Sequence, residues 1–317
     1  MILSLIVPVY NVEEYISDFF YSIAYQMHED VEIIIINDGT EDNSIHILLN
    51  LIKEIICPNL QANFTILSQA NSGQSSARNY GIKEAKGRYI GFVDPDDIVA
   101  ENFISLLLHS INLNNDTDVF HYNAKKINES GTIILGDINY VDKDQSFIAE
   151  KKYLLAMFEQ DIWYPWLRVF KRDIISDFQF PINLLLEDKY LFPKIYVSRV
   201  NKITEINSSL VLYRIRGNSS LNNKDKQEKI LESLCCGMKE YKDSNNDLLY
   251  SIYLQYFWSY LYDISKFNFK YIFYRMIGFK KEYCSFINVK SKKEMLVTRF
   301  PIFFVLFLKF KRLLGTF

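Results

Sequence analysis

Asp94 and Asp96 stand one residue apart directly after an apolar run, so both carboxylates can reach a single hard cation, which prefers oxygen ligands. At the end of a strand in a nucleotide-binding type of sheet, such a pair suits a Mg²⁺ or Mn²⁺ ion bridging a diphosphate, where the metal offsets leaving-group charge as a Lewis acid. Asp97 beside them serves either as a further carboxylate behind the pair or as the cap of the next helix. Three more polar clusters, Pro8-Val9-Tyr10-Asn11, Asn37-Asp38-Gly39 and Gln69-Ala70-Asn71-Ser72-Gly73, close apolar runs in the same way. Taken singly they are ordinary turn chemistry. Converging on the carboxyl edge of one parallel sheet, the four mark the place where open α/β sheets bind ligands.

The elements that must position these clusters are legible as alternating periods. Ile2 to Val9 is an apolar, β-branched run that predicts a buried strand. Val12 to Met27 carries apolar residues at helical spacing, with Glu13 and Glu14 favourable in its first turn. Val31 to Ile36 predicts a second strand, and Asp42 or Asn43 caps a helix running to about Ile56. A strand at Phe64–Ser68, a helix at Gln74–Ala85 closed by Gly87, and a strand at Arg88–Val93 follow. This alternation predicts a parallel sheet with helices on both faces. Beyond Glu101 the pattern loosens into a helix (Asn102 to Ile111), a strand (Asp118 to Ala124), a hairpin turn at Glu129-Ser130-Gly131, and weaker strands near Trp163–Phe170 and Val211–Arg216. From about Lys224 the chain reads as helical, with many aromatics between Tyr250 and Tyr274. The expected division is a domain over 1–220, with halves of about 1–100 and 101–220, and a helical extension over 221–317.

At 317 residues, 49% hydrophobic and 23% charged, the chain can bury a core and is not a disordered polymer. The net charge of −2 conceals an asymmetry: residues 264–317 hold twelve Lys and Arg against two acids, a net of +10 that leaves −12 for residues 1–263. No nucleic-acid partner is expected, because no known binding module or base-stacking pattern accompanies the charge. Cys57, Cys235, Cys236 and Cys284 lack metal-ligand spacing and predict free thiols in a reducing compartment. The first residues read as a strand and not as a signal peptide, and the longest apolar tract, Phe300 to Leu308, is half of what a membrane span needs. The expected location is the cytoplasm, peripheral on the inner face of the membrane.

The segments "SLIVPVYNVEEYI", "VEIIIINDGTEDNS", "SQANSGQSSARNYGIKEAKGRYIGFVDPDD" and "LLLEDKYLF", in this order and spacing, resemble family 2 of the glycosyltransferases. The resemblance is close over the first hundred residues, thins over the next hundred, and does not reach the C-terminal third. It implies a GT-A fold, a Rossmann-like and mostly parallel sheet, and an inverting transfer from a nucleotide-diphosphate sugar, best a UDP-sugar, assisted by Mn²⁺ or Mg²⁺. It also implies roles position by position. Pro8, Tyr10 and Asn11 match the segment cradling base and ribose, and Asp38 the acid that accepts from the uracil imide. Ser72, Gly73 and Arg78 match the segment facing the phosphates. Asp94 and Asp96 match the metal-binding pair, with Asp96 the direct ligand, and Asp188 the catalytic base, with Glu187 on the acceptor side.

Several of these residues also have ordinary structural roles. Glu187-Asp188 alone reads as a helix N-terminus complementing the dipole; as a base it gains from the way paired acids raise each other's proton affinity. Trp163 and Trp166 are either core residues with a basic rim or a stacking platform for the acceptor sugar, in a stretch where Leu167, Arg168 and Val169 depart from the family's Asn-Lys-Leu. Arg214 and Arg216 protect an edge strand by charge, or, as the resemblance implies, Arg216 and Ser219 belong to a basic, serine-containing segment that folds over the diphosphate. The C-terminal tract is either the last helix packed on the body or a membrane-surface helix burying Phe303, Phe304, Phe307 and Phe310. The resemblance points to transfer onto a glycan, best a lipid-linked oligosaccharide, in capsule or O-antigen assembly. A nucleotidyltransferase is the rival enzyme, but its Gly-rich phosphate loop with a lysine is absent; a catalytically silent glycan-binding subunit is the rival from another class, and intact Asp38, Asp94, Asp96 and Asp188 argue against it.

Overall fold

The computed structural model describes residues 1–217, 226–284, 287 and 292–313. By its own contacts the chain divides into two units: Met1–Asn183 with Glu187–Ser219, and Ser220–Phe317 with Leu184–Leu186.

The first unit is built on a ten-stranded sheet. Its strands are β1 (Leu3–Val9), β2 (Val31–Asn37), β3 (Phe64–Ser68), β4 (Tyr89–Phe92), β5 (Ile98–Val99), β6 (Val119–Ile127), β7 (Ile134–Ile138), β8 (Gln145–Ile148), β9 (Arg168–Lys171) and β10 (Lys202–Arg214). They run in the order β3-β2-β1-β4-β9-β6-β10-β5, with β7 beside β6 and β8 beside β10. Strands β3, β2, β1 and β4 are mutually parallel, as the regular alternation of the first hundred residues demands. Antiparallel β9 then joins β4 to β6, and β6 pairs in parallel with β10.

Every residue of β1 is buried, because helices cover both of its faces. Leu3, Leu5, Val7 and Val9 share one core with Phe19, Phe20 and Ile23 of the helix Ile16–Ala24, with Leu48, and with Phe103 and Leu107 of the helix Phe103–Leu113. On the opposite face, Ile6 meets Gly81 of the helix Gln74–Glu84 so closely that a Cβ there would stand 2.4 Å from Ile6 Cγ2. The register Val9↔Asn37, with backbone bonds from Asp38 N to Val9 O (2.9 Å), Gln69 N to Asn37 O (2.9 Å) and Val93 N to Ile6 O (3.1 Å), gathers the four polar clusters at one edge.

Three elements differ from the sequence expectation. The first helix begins at Ile16, since Val12–Tyr15 forms a turn (Tyr15 N to Val12 O, 2.9 Å). The expected strand near Trp163–Phe170 is a 3₁₀ turn at Pro165–Leu167 followed by β9, because Pro165 supplies no ladder donor and favours a helical start. The expected strand Val211–Arg216 is the end of the longer β10, whose irregular pairing at Ile206–Val211 breaks the two-residue period of its first half.

The second unit is helical. Asn246 caps the helix Asp247–Ile264 by accepting from Leu248 N (2.9 Å), and Asn268 caps Phe269–Met276 by accepting from Tyr271 N (2.9 Å). The helix Gln227–Tyr241 packs on Asp247–Ile264 at Gly237, where a Cβ would stand 2.3 Å from Tyr256 Cζ. Phe279 stacks on Tyr260 with centroids 4.9 Å apart. The helix Pro301–Leu313 packs against Asp247–Ile264, Phe269–Met276 and Lys292–Arg299. All four cysteines are free thiols.

Candidate active site

The site is built at the carboxyl edge of β1, β2 and β4, from loops locked by their own polar side chains. Asn11, at the end of β1 with a left-handed backbone (φ +50°), receives a hydrogen bond from Glu41 N on Oδ1 (3.2 Å) and donates its backbone N–H to Thr40 Oγ1 (2.7 Å). Asparagine tolerates that conformation better than most residues. Pro8 is buried inside β1 opposite Ile36, so it shapes the strand, whereas Tyr10 is exposed and presents its ring at the edge.

Asp38 is buried and bonded to the third loop through both carboxylate oxygens. Its Oδ1 accepts from Gln69 Nε2 (2.7 Å) and Ser72 N (2.9 Å), and its Oδ2 from Gly73 N (2.9 Å). Its first task is therefore to hold the Gln69–Gly73 loop, with one acceptor position remaining on Oδ2. Gly73 sits at φ +86° with open space where a Cβ would be, so backbone conformation and not crowding calls for glycine.

Arg78 corrects an expectation. Expected against the phosphates, it is only 2% exposed, since it lies on the inner side of the helix Gln74–Glu84. Its Nη1 donates to Glu187 Oε1 (2.7 Å) and its Nη2 to Asp94 Oδ1 (3.2 Å), with the guanidinium over the Phe180 ring. Glu187, expected to face the acceptor, is thereby committed to Arg78. Gln74 Nε2 also donates to Asp94 Oδ1 (3.1 Å).

Asp94, Asp96 and Asp97 form a crowded acidic cluster bordered by the guanidinium groups of Arg78, Arg214 and Arg216. Burial, then the Asp94 charge, holds the Asp96 carboxyl above the usual range. Asp97 lies well above it, through burial and then the charges of Asp96 and Asp94. Asp97 Oδ1 accepts from Arg214 N (2.8 Å), and its buried Oδ2 has no hydrogen-bond partner. Arg216 Nη2 stands 2.6 Å from Asp96 Oδ2 and is one-third exposed, whereas Arg214 is buried, reaching Asp96 O (2.8 Å) and Asp18 Oδ2 (2.9 Å). Both guanidinium groups lie over the Tyr15 ring. Ser219 lies outside the described residues. Among the described residues no group of three or more His, Cys, Asp or Glu could hold a metal unaided. The donor chemistry of Asp94 and Asp96, all-oxygen and unfavourably crowded, nevertheless fits a hard divalent ion that takes one or two carboxylates and completes its shell with water and phosphate.

Asp188 opens the helix Glu187–Arg199, directly after Leu186, whose left-handed backbone (φ +68°) is costly for a branched side chain. Lys189 N donates to Asp188 Oδ1 (2.7 Å). Burial, followed by the Glu187 charge, pushes the Asp188 carboxyl up to about 6. The expected indole platform needs correction. Trp163 is buried, donates to Asp161 Oδ1 (2.9 Å) and meets Phe158 edge-on; Trp166 is buried between Tyr164 and Tyr213, with centroids 4.9 and 5.1 Å away. Neither offers a free face. The reason is Arg168, a fully buried cation that holds Trp163, Tyr140 and Phe192 around its guanidinium and donates to Tyr164 O (2.7 Å), Tyr140 Oη (2.8 Å), Tyr196 Oη (3.1 Å) and Ile162 O. Tyr164 is the outer ring of the stack, 40% exposed, and close enough for the Asp188 charge to help push its hydroxyl up, after burial.

A mixed sheet of this order, with carboxylates gathered at the ends of its parallel strands, defines the GT-A class of α/β proteins. The family described as "Glycosyl transferase family 2" matches residues 4–176, and the chain belongs to that family. It is 34% identical over 224 residues to "Glycosyltransferase GlyA" of Streptococcus pneumoniae, covering 68% of this chain and 31% of the relative, and 31% identical over 226 residues to "Uncharacterized glycosyltransferase EpsJ" of Bacillus subtilis, covering 69% and 62%. The chain thus matches less than two-thirds of the length of these relatives. Among solved structures, residues 1–349 of S. aureus TarS in complex with UDP-GlcNAc share the fold with a TM-score of 0.69 at 17% identity, over 99% of this chain and 92% of that one.

Proposed function

We propose that this chain is an inverting glycosyltransferase that moves a sugar from a UDP-sugar to a hydroxyl of a glycan, carried on a lipid, in bacterial surface-polysaccharide assembly. The observation that carries the reading is the Asp94–Arg78–Glu187 bridge, which fixes the metal-type carboxylates and the Glu187-Asp188 pair at one edge of the sheet. The family membership and the UDP-GlcNAc bound by TarS support the donor class. Asp94 and Asp96 would hold the Mn²⁺ or Mg²⁺, which supplies Lewis-acid stabilisation of the leaving diphosphate. Arg216, partly exposed beside Asp96, is the chain's own cation for that diphosphate. Tyr10 flanks the base, and Asp38 holds the loop whose Ser72 and Gly73 border the nucleotide. Asp188, with a proton affinity near the working pH, takes the proton of the acceptor hydroxyl as its oxygen attacks the anomeric carbon from the side opposite the nucleotide. An α-linked donor then gives a β-linked product.

The test is a panel of nucleotide sugars with Mn²⁺ or Mg²⁺, scored by nucleotide release and by thermal stabilisation. One UDP-sugar should stabilise the protein and be turned over, and a panel in which no UDP-sugar does either removes the proposal. A second expectation concerns Tyr164, whose exposed ring takes the stacking role in place of the buried indoles. Tyr164→Ala should raise the acceptor KM by roughly tenfold, the scale of one lost stacking contact, with little change in UDP binding. An unchanged acceptor KM would put the platform elsewhere.

A further inference from the structure

The last helix, Pro301–Leu313, has two apolar faces. Its inner face is accounted for within the second unit, with Val305 and Leu308 buried and Phe304 edge-on to Trp258, centroids 5.8 Å apart. Phe304 thus belongs to the core and not to an outer surface. The outer face carries Phe300, Phe303, Phe307 and Phe310, spaced three and four residues apart, and the last three are each more than half exposed. Such a stripe runs about 15 Å along the helix. Phe269, on the helix packed alongside, adds to it: Lys309 Nζ lies 5.3 Å from its ring centroid.

Cations are threaded through these rings. The Arg299 guanidinium lies over Phe300 and Lys311 over Phe307, and Lys270 and Arg299 are exposed. This is the arrangement of side chains that keep their heads in a charged layer while apolar neighbours sit below it. A second copy meeting it through the same face would set one +10 segment against another, which is unfavourable. A soluble polyanion would satisfy the charge and leave the rings in water. An anionic bilayer satisfies both, with headgroup phosphates at the cations and rings at the acyl boundary. Among the described residues no helix is long and apolar enough to cross a membrane, so contact at this face is along the surface.

We propose that the Phe300–Phe303–Phe307–Phe310 face of the last helix, with its surrounding cations, docks this unit on an anionic lipid surface. This proposal does not depend on the catalytic reading. The test uses the full chain with vesicles of phosphatidylcholine alone or mixed with phosphatidylglycerol. The intact chain should sediment with the mixed vesicles at low salt, far less with phosphatidylcholine alone, and progressively less as salt shortens the screening length. The variant Phe303→Ser/Phe307→Ser/Phe310→Ser should lose about 100-fold in partitioning, the scale of three partly inserted rings, while keeping its melting temperature and donor hydrolysis. A separate Phe307→Trp variant, which removes no bulk, should gain a blue-shifted emission component quenched by brominated lipid. Equal binding to both vesicle types, unaltered binding of the triple variant, or no lipid quenching in Phe307→Trp would overturn the proposal. So would a dimer, seen by sedimentation of the intact chain, that the triple variant dissolves without any change in vesicle binding.

Discussion

Asp188→Asn is expected to lower turnover by roughly 10²–10⁴, the range for loss of a general base, and to leave UDP binding nearly unchanged. The same substitution should raise stability near neutral pH, which separates a strained functional group from a structural one. In the folded chain the Asp188 carboxyl titrates at about 6, against an ordinary value of 3.8. Below both values it is protonated in either state and costs nothing. Between them the unfolded chain ionises first, so this group's contribution turns progressively against folding, and above about 6 the penalty is complete. Asparagine cannot ionise, so the variant should gain on the order of 3 kcal/mol at pH 7 and nothing at pH 3. Its Oδ1 can still accept from Lys189 N, which preserves the local turn. Wild-type turnover should rise with pH and level off above about 6, as the base becomes ionised. Melting curves at the two pH values and a pH profile of kcat check all three statements. If the variant keeps most of its turnover, another group is the base, and Glu187 would first have to leave Arg78.

Asp96→Ala should abolish transfer while leaving the fold intact. The carboxylate is raised by burial and by Asp94, so its removal relieves repulsion within the Asp94–Asp97 cluster, and Arg216, partly exposed, can find water in its place. The melting temperature should therefore hold or increase as activity disappears. Chelation of divalent ions from the wild type should reproduce the loss, and added Mn²⁺ should restore it. Transfer at the wild-type rate in excess chelator would remove the metal from the scheme and return Asp96 to the role of partner for Arg216.

The parallel core and the convergence of its loops were legible because strict alternation leaves few topologies open, and β1, β2, β3 and β4 lie close to where periodicity places them. The roles of individual side chains were less legible where they depend on partners far along the chain. Arg78 meets Glu187 across 109 residues, and nothing in the local sequence distinguishes an arginine aimed at phosphate from one clamped between two acids. The indoles are illegible for a related reason: Arg168, one of three departures from the family pattern, is an interior cation packed against Trp163, while Tyr164 stays outside. Arg214 and Arg216 share a face by the two-residue rule, yet β10 ends at Arg214, so the rule stops applying before Arg216 is reached. Residues that sequence reasoning missed, chiefly Tyr164, Tyr213 and Arg168, become visible only as members of a stack or a cage.

The Arg78 bridge also has a thermodynamic corollary. One guanidinium is shared between Asp94, which the proposed function puts on the nucleotide side, and Glu187, next to the proposed base. Charge brought to Asp94 changes how firmly Arg78 is held there and hence how firmly it holds Glu187. If the proposed roles hold, the nucleotide and acceptor sides are energetically coupled through a single buried cation. Reciprocity then requires that whatever factor the nucleotide imposes on acceptor affinity, the acceptor imposes on nucleotide affinity. On that reading, nucleotide and acceptor should bind with a mutual factor other than one, which titration of each in the presence of the other measures.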